Sequence, residues 1–159
     1  MSSEKRKIAY IDGKPYEIGA NHTSILKFVK SYVGEKKVPT LCDDPNLAPY
    51  GACRVCSVEV ALEKDGPTKM VASCHTPVAE NQHIFTSNEA ITNLRKNIVE
   101  LVLTDHPMEC DSCEVNNNCE LQTVANDLGV SDHRYNSPKQ HKGIPRDTSH
   151  DYMRMNLDN

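Results

Sequence analysis

Two short apolar stretches lie within residues 7 to 18 (KIAYIDGKPYEI) and flank Asp12-Gly13, a pair that turns hairpins. A helix is predicted next, capped by Thr23 or Ser24, with Ile25, Leu26, Val29 and Val33 on one face and Gly34 just past its end. The apolar rhythm then lapses over VPTLCDDPNLAPYGACRVC. Such a length suits a compact domain only if the loop encloses something. β-rich stretches return at Ser57 to Leu62, Lys69 to Ala72 and His83 to Thr86. Thr86-Ser-Asn-Glu89 reads as a capping box opening a second helix, whose apolar face would be Ile91, Leu94, Ile98, Leu101 and Val102, and which stops at Asp105-His106-Pro107. A third helix, ELQTVANDL, puts Leu121, Val124 and Leu128 on one side, with Gly129 as its C-cap. From Ser131 to Asn159 the chain is polar, holds Pro138 and Pro145, and shows no periodic face. The pattern predicts an α+β protein: a small mixed sheet packed on one helix, then a short helical region, then a polar surface strap.

Composition adds that this fold has little conventional core. The chain has 159 residues, no Trp and two Phe. Small folds of that kind commonly need a staple. No apolar run approaches the roughly 18 residues of a membrane span, so any membrane association would go through a partner.

Cysteine supplies the candidate staple. Seven cysteines and one histidine fall into two sets of four: Cys42, Cys53, Cys56 and Cys74, spaced C-x10-C-x2-C-x17-C, and His106, Cys110, Cys113 and Cys119, spaced H-x3-C-x2-C-x5-C. Iron–sulfur clusters take four protein ligands each, usually thiolates, with histidine as an occasional replacement. Two readings compete. A disulfide framework suits a secreted domain, but seven is odd, and the opening MSSEKRKIAY carries neither an apolar signal segment nor a twin-arginine pair, so a cytoplasmic location is expected. Zinc accepts three cysteines and a histidine, and C-x2-C is its usual half-site. Zinc sites generally pair two short C-x2-4-C elements, whereas the first set leaves one cysteine alone ten residues before its C-x2-C and another alone well after it. That spacing wraps a larger object, and an electron-transfer protein is the first hypothesis.

Charge agrees with that hypothesis. The formal charge is −4. With seven thiolates and two oxidised cluster cores the holoprotein would carry about −7, which argues against a nucleic-acid partner.

PTLC, GACRVCSVEV and ASCHTPV resemble the 2Fe-2S domain of the plant-type ferredoxin class, in the version that opens the large iron–sulfur subunit of respiratory complex I. The resemblance covers about residues 7 to 86 and implies a β-grasp fold with one 2Fe-2S cluster on Cys42, Cys53, Cys56 and Cys74. The spacing departs from plant-type C-x4-C-x2-C, so soluble photosynthetic ferredoxin is a more distant relative. Gly51 and Ala52 are small enough for backbone N–H groups to approach a cluster's sulfides.

The segment DHPMECDSCEVNNNCELQ resembles the 4Fe-4S segment shared by complex I, iron-only hydrogenases and NAD-linked formate dehydrogenases. On spacing alone His106 could equally be a solvated or capping residue beside a helix end. The resemblance implies one 4Fe-4S cluster on His106, Cys110, Cys113 and Cys119. Imidazole brings one less negative charge than thiolate, which favours the reduced state. The other histidines, His22, His75, His83, His133, His141 and His150, are expected at the surface, and His75, next to a ligand, could tune the first cluster.

These resemblances imply three parts: a 2Fe-2S ferredoxin-like β-grasp domain over 1–86, a small helical histidine/three-cysteine domain over 87–130, and a tail or connector over 131–159. Within the tail, RDTSHDYMRMNLDN resembles the connector that precedes further 4Fe-4S sites in formate dehydrogenase large subunits, yet the chain stops before any such cysteines, as a short subunit or a piece of a longer one would. There is no Gly-rich dinucleotide fingerprint, no P-loop and no room for a molybdopterin or flavin domain. No catalytic nucleophile or acid–base pair stands out. The expected role is a relay of single electrons between a catalytic subunit, molybdopterin-dependent or other, and a flavin/NAD-binding partner, in a formate dehydrogenase-like complex ahead of complex I or hydrogenase. A stand-alone redox sensor or a zinc-stabilised module is the alternative.

Overall fold

Burial of the apolar stretches and satisfaction of their backbone groups assemble a mixed sheet in a computed structural model that describes residues 6–135 and 144–155. Pro138 and His141, named above, lie outside the described residues. Strands β1 (Ile8–Ile11) and β2 (Lys14–Glu17) form the expected hairpin. Asp12 and Gly13 both adopt positive φ, 47° and 82°, the geometry that a two-residue hairpin turn demands. Strands β3 (Ser57–Ala61), β4 (Lys69–Ala72) and β5 (His83–Phe85) complete the order β2-β1-β5-β3-β4, in which only the central β1/β5 pair is parallel. Tyr10 stacks on His83 across that pair, with ring centroids 4.3 Å apart.

Helix α1 (Ile25–Val33) begins at Ser24, whose hydroxyl accepts the Lys27 N–H at 3.3 Å, and ends at Gly34. It buries Ile25, Leu26, Phe28 and Val29 against Ala9, Ile11, Val58 and Ile84 of the sheet. Val33, expected on that face, is 39% exposed, and Phe28 fills the core in its place. Residues 25, 28 and 29 lie on one stripe of a 3.6-residue helix, and Val33, four positions on, is its last residue. His22 and His83 are likewise half-buried and structural. His22 Nδ1 accepts the Gly19 N–H at 2.9 Å, Nε2 lies 2.9 Å from the Ser31 hydroxyl, and the ring packs edge-on to Phe28.

Helix α2 (Glu89–Thr104) departs from expectation at two points. Its first turn is capped by Asn88, whose side-chain oxygen accepts the Ile91 N–H at 2.8 Å. Thr86, expected as the cap, is fully buried and donates from its N–H and its hydroxyl to the Asp12 carboxylate, at 2.8 and 2.6 Å, tying β5 to the hairpin turn. The buried stripe is Ile91, Arg95, Val99 and Leu103, an i, i+4 series, with Leu94 and Ile98 half-buried beside it and Leu101 and Val102 exposed. A search for apolar periodicity could not place an arginine at the centre of that stripe.

The chain divides into two compact units, residues 1–95 and 96–159, with the boundary inside α2. The second unit contains a 3-10 turn at Cys110–Ser112 and helix α3 (Glu120–Leu128), closed by Gly129 at φ 66°, as predicted. Val124, Ala125 and Val130 are buried there. Among the described residues, no helix is long and apolar enough to cross a membrane.

The Asp12–Thr86 link yields a stability prediction. Asp12→Ala strands the buried N–H and hydroxyl of Thr86 and should cost about 1–3 kcal/mol. Asp12→Asn, which keeps an acceptor and tolerates positive φ, should cost less. Denaturant titration of the two variants loaded with iron tests this; equal stability of Asp12→Ala and the parent chain would refute it.

Candidate metal centres

The first set of cysteines gathers at one end of the sheet. Cys56 and Cys74 lie within the hydrophobic core, 1% and 2% exposed, whereas Cys42 and Cys53 are half-buried at its rim. The Cys53 N–H donates to Cys42 Sγ at 3.5 Å. Burial, first, and then the sulfurs of Cys56 and Cys42 and the Asp43 carboxylate push the Cys74 thiol up to about 12. Thiols crowded in this way oppose one another's ionisation, and a bound metal inverts the balance because a coordinating thiol is deprotonated outright.

The long loop is held in that wrap by polar contacts at both ends. Val38 is buried, and Lys30 of α1 pairs with Asp43 at 3.5 Å and with Glu35 at 3.2 Å. His75 Nδ1 lies 3.2 Å from the Pro49 carbonyl, so this histidine fastens the loop. The Ser73 hydroxyl donates to the Cys56 carbonyl at 2.7 Å. Between Cys53 and Cys56, Arg54 takes φ 64°, at a cost on the order of 1 kcal/mol for an L-residue. Its carbonyl accepts both the hydroxyl and the N–H of Ser57, at 2.6 and 3.1 Å. Gly51 sits at φ 72°, where an added Cβ would come within 3.2 Å of Ala72 Cβ. A side chain there would be strained by the positive φ and would also push Ala72 aside by a few tenths of an ångström.

The second set converges on one cavity of about 540 Å³, whose wall includes His106, Cys110, Cys113 and Cys119. Its geometry follows from the chain. Pro107 cannot continue α2, and the His106 N–H closes the last turn on the Leu103 carbonyl at 3.2 Å. The 3-10 turn brings the Cys113 N–H to the Cys110 carbonyl at 3.1 Å, and Cys119 is the N-cap of α3, at the positive end of the helix dipole. Gln122 braces the intervening turn, accepting the Asn117 N–H at 2.8 Å and donating to the Asn116 side chain at 2.9 Å. Cys113 is exposed and the other three donors are half-buried, so this site is wetter than the first.

Both donor sets fit iron–sulfur clusters by their chemistry: four sulfurs in the first, with the Cys53 N–H turned toward the Cys42 sulfur, and three sulfurs and an imidazole in the second. Among the described residues, no three His, Cys, Asp or Glu side chains close on a point where one metal ion could sit.

Arg146 and Arg154 also line the second cavity, and sequence reasoning missed both. They come from the polar tail, where Asp147 and Met155 form an antiparallel bridge with N–H···O distances of 2.9 and 3.0 Å. Residues one before each bridge partner share a face of the pleat. The two guanidiniums share the wall with Glu109 and Glu114 and would offset part of the charge that three ligating cysteines bring. Arginines in a cysteine-free tail were the signal available in the sequence.

Comparison with known proteins agrees with this geometry. Residues 8–89 match the family model "2Fe-2S iron-sulfur cluster binding domain", and residues 95–134 match "NADH-ubiquinone oxidoreductase-G iron-sulfur binding region". The chain is 34% identical over 137 residues to NADPH-Fe(3+) oxidoreductase subunit alpha of Geobacter sulfurreducens, an alignment covering 86% of this chain and 15% of that one. It is 30% identical to NADH-quinone oxidoreductase subunit 3 of Thermus thermophilus (76% and 17% covered) and 36% identical to NADP-reducing hydrogenase subunit HndD of Solidesulfovibrio fructosivorans (79% and 21%). It thus spans about a seventh to a fifth of the length of these relatives. A crystal structure of an NAD+-reducing NiFe-hydrogenase shares its fold, with a TM-score of 0.73 and 23% identity over 91% of this chain and 57% of that one. With the first family model matching more than half of its residues, this chain belongs to the 2Fe-2S iron–sulfur cluster binding domain family, continues into a complex I-type 4Fe-4S binding region, and is an iron–sulfur electron-transfer module.

Proposed function

We propose that the chain relays single electrons between a pyridine-nucleotide-linked flavin subunit and a second redox catalytic subunit. One observation carries this reading: a single chain presents two separate four-donor sets, one where β3 and β4 meet the long loop and one around the cavity of the second unit. Cys42, Cys53, Cys56 and Cys74 hold the 2Fe-2S cluster, and His106, Cys110, Cys113 and Cys119 hold the 4Fe-4S cluster. When bound, the clusters supply one-electron redox chemistry; the chain ligates, insulates and tunes them. We assign the first module to 1–86, the second to 87–130 and the connector to 131–159. The relatives' names, which span quinone, iron(III) and hydrogenase activities, have NAD(P) in common and support the flavin/NAD partner. Resemblance of the tail to a formate dehydrogenase connector supports a molybdopterin subunit on the other side. Seven free cysteines suit a reducing, cytoplasmic setting.

An anaerobic affinity pull-down from the native source tests the assembly, with iron, molybdenum, tungsten, nickel and flavin quantified. A flavin subunit together with a pterin-metal subunit is expected; nickel in place of molybdenum or tungsten would move the assignment to a hydrogenase. Recovery of the chain alone, with about six irons, would overturn the relay reading in favour of a free carrier or sensor.

Two substitutions test the ligands. Cys53→Ala should abolish the 2Fe-2S signal in electron paramagnetic resonance and leave the 4Fe-4S signal in place; survival of both signals refutes the first set. His106→Cys should keep its cluster but disfavour reduction at least tenfold, about 59 mV for one electron, because a fourth thiolate adds negative charge. An unchanged potential would remove His106 from the ligand set.

A further inference from the structure

Arg95 is the one charged residue on the buried stripe of α2, and it is 5% exposed. Its Nη2 donates to the Ser57 carbonyl at 2.7 Å, next in the chain to Cys56. Its Nε is buried and has no hydrogen-bond partner, and among the described residues no carboxylate forms an ion pair with it. A buried cation in that condition is costly, and an apolar residue of similar volume would ordinarily serve the fold better. Something negative must compensate it. The group whose charge favours the guanidinium is Cys56, a proposed ligand within the core. Burial lowers Arg95 to about 10, so it remains a cation at neutral pH. Four thiolates around an oxidised 2Fe-2S core carry a net charge of about −2, and one more electron makes it about −3.

We propose that Arg95 is the built-in counter-ion of the 2Fe-2S site, a fixed buried cation that stabilises the reduced cluster more than the oxidised one and thereby raises its potential. The step is a one-electron transfer from the donor to the cluster. Arg95 gains and loses nothing, and no proton moves, because a guanidinium stays charged in both states. The bond to Ser57 aims the cation at the Cys56 side of the site, so Arg95 is a positioning and tuning residue, not a ligand. Its role rests on the cluster reading above and goes beyond it, since neither the ligand set nor the relay function requires a charge at position 95.

The test separates charge from shape. Arg95→Gln retains an N–H donor for the Ser57 carbonyl and loses the charge, whereas Arg95→Lys retains both with altered geometry. The full chain carrying both clusters is titrated anaerobically with dithionite and followed by electron paramagnetic resonance, the 4Fe-4S signal serving as the loading control. Arg95→Gln should shift the 2Fe-2S reduction equilibrium at least tenfold toward the oxidised state, about 59 mV, and Arg95→Lys should stay within threefold of the parent. Loss of the 2Fe-2S signal in Arg95→Gln but not in Arg95→Lys would equally support a requirement for charge. A parent-like potential in Arg95→Gln, equal shifts in both variants, or failure of both to load would overturn the proposal. Absence of a 2Fe-2S signal from the parent chain would instead refute the cluster reading itself.

Discussion

Negative charge concentrated inside a small protein is the constraint to which the rest of the structure answers. Cluster ligation asks several thiols to ionise within a few ångströms of one another, in surroundings that disfavour charge. The first site shows the difficulty directly, since Cys74 resists ionisation because of its burial and its sulfur neighbours. The chain meets that constraint with metal-binding donors first and with cations second. Arg95 lies beside the first set, Arg146 and Arg154 line the second, and the thiol of Cys119 sits where a helix presents its positive end.

Holding such donors in place requires backbone that regular structure cannot supply. The 2Fe-2S loop contains a left-handed Arg54, a left-handed Gly51 packed against β4, and anchors at Lys30, His75 and Ser73. Each contact is modest alone. Together they fix the path of the loop, so it is strained where it must be specific and pinned at both ends where it meets the sheet and α1.

Much of this was legible in the sequence, for physical reasons that also explain what was not. Strands, the ends of α1 and the Asp12-Gly13 turn follow from local rules, and α3 falls where its apolar side and Gly129 put it. Cysteine spacing pointed to two iron–sulfur clusters, as the two family matches bear out, because few other chemistries need soft ligands in fours at such intervals. The misses at Thr86, Arg95, Arg146 and Arg154 share one cause: each depends on a contact outside its own stretch of chain. Thr86 looked like a helix cap and is instead bound to a turn 74 positions earlier. Arg95 broke an apolar period that ignores charge, and its meaning comes from Ser57, 38 positions away. Arg146 and Arg154 reach the cavity only because the tail folds back on itself.

The division of the first set between core and rim has a directional consequence. Cys56 and Cys74 face a dry interior, while Cys42 and Cys53 meet solvent, near an exposed Leu47 and Tyr50 on the same loop. Charge is more stable toward the higher dielectric. With the proposed ligands in place, the site would be a one-sided terminal: the core would serve as an insulating back wall, and an outside partner would exchange electrons most readily through the loop that carries Cys42 and Cys53.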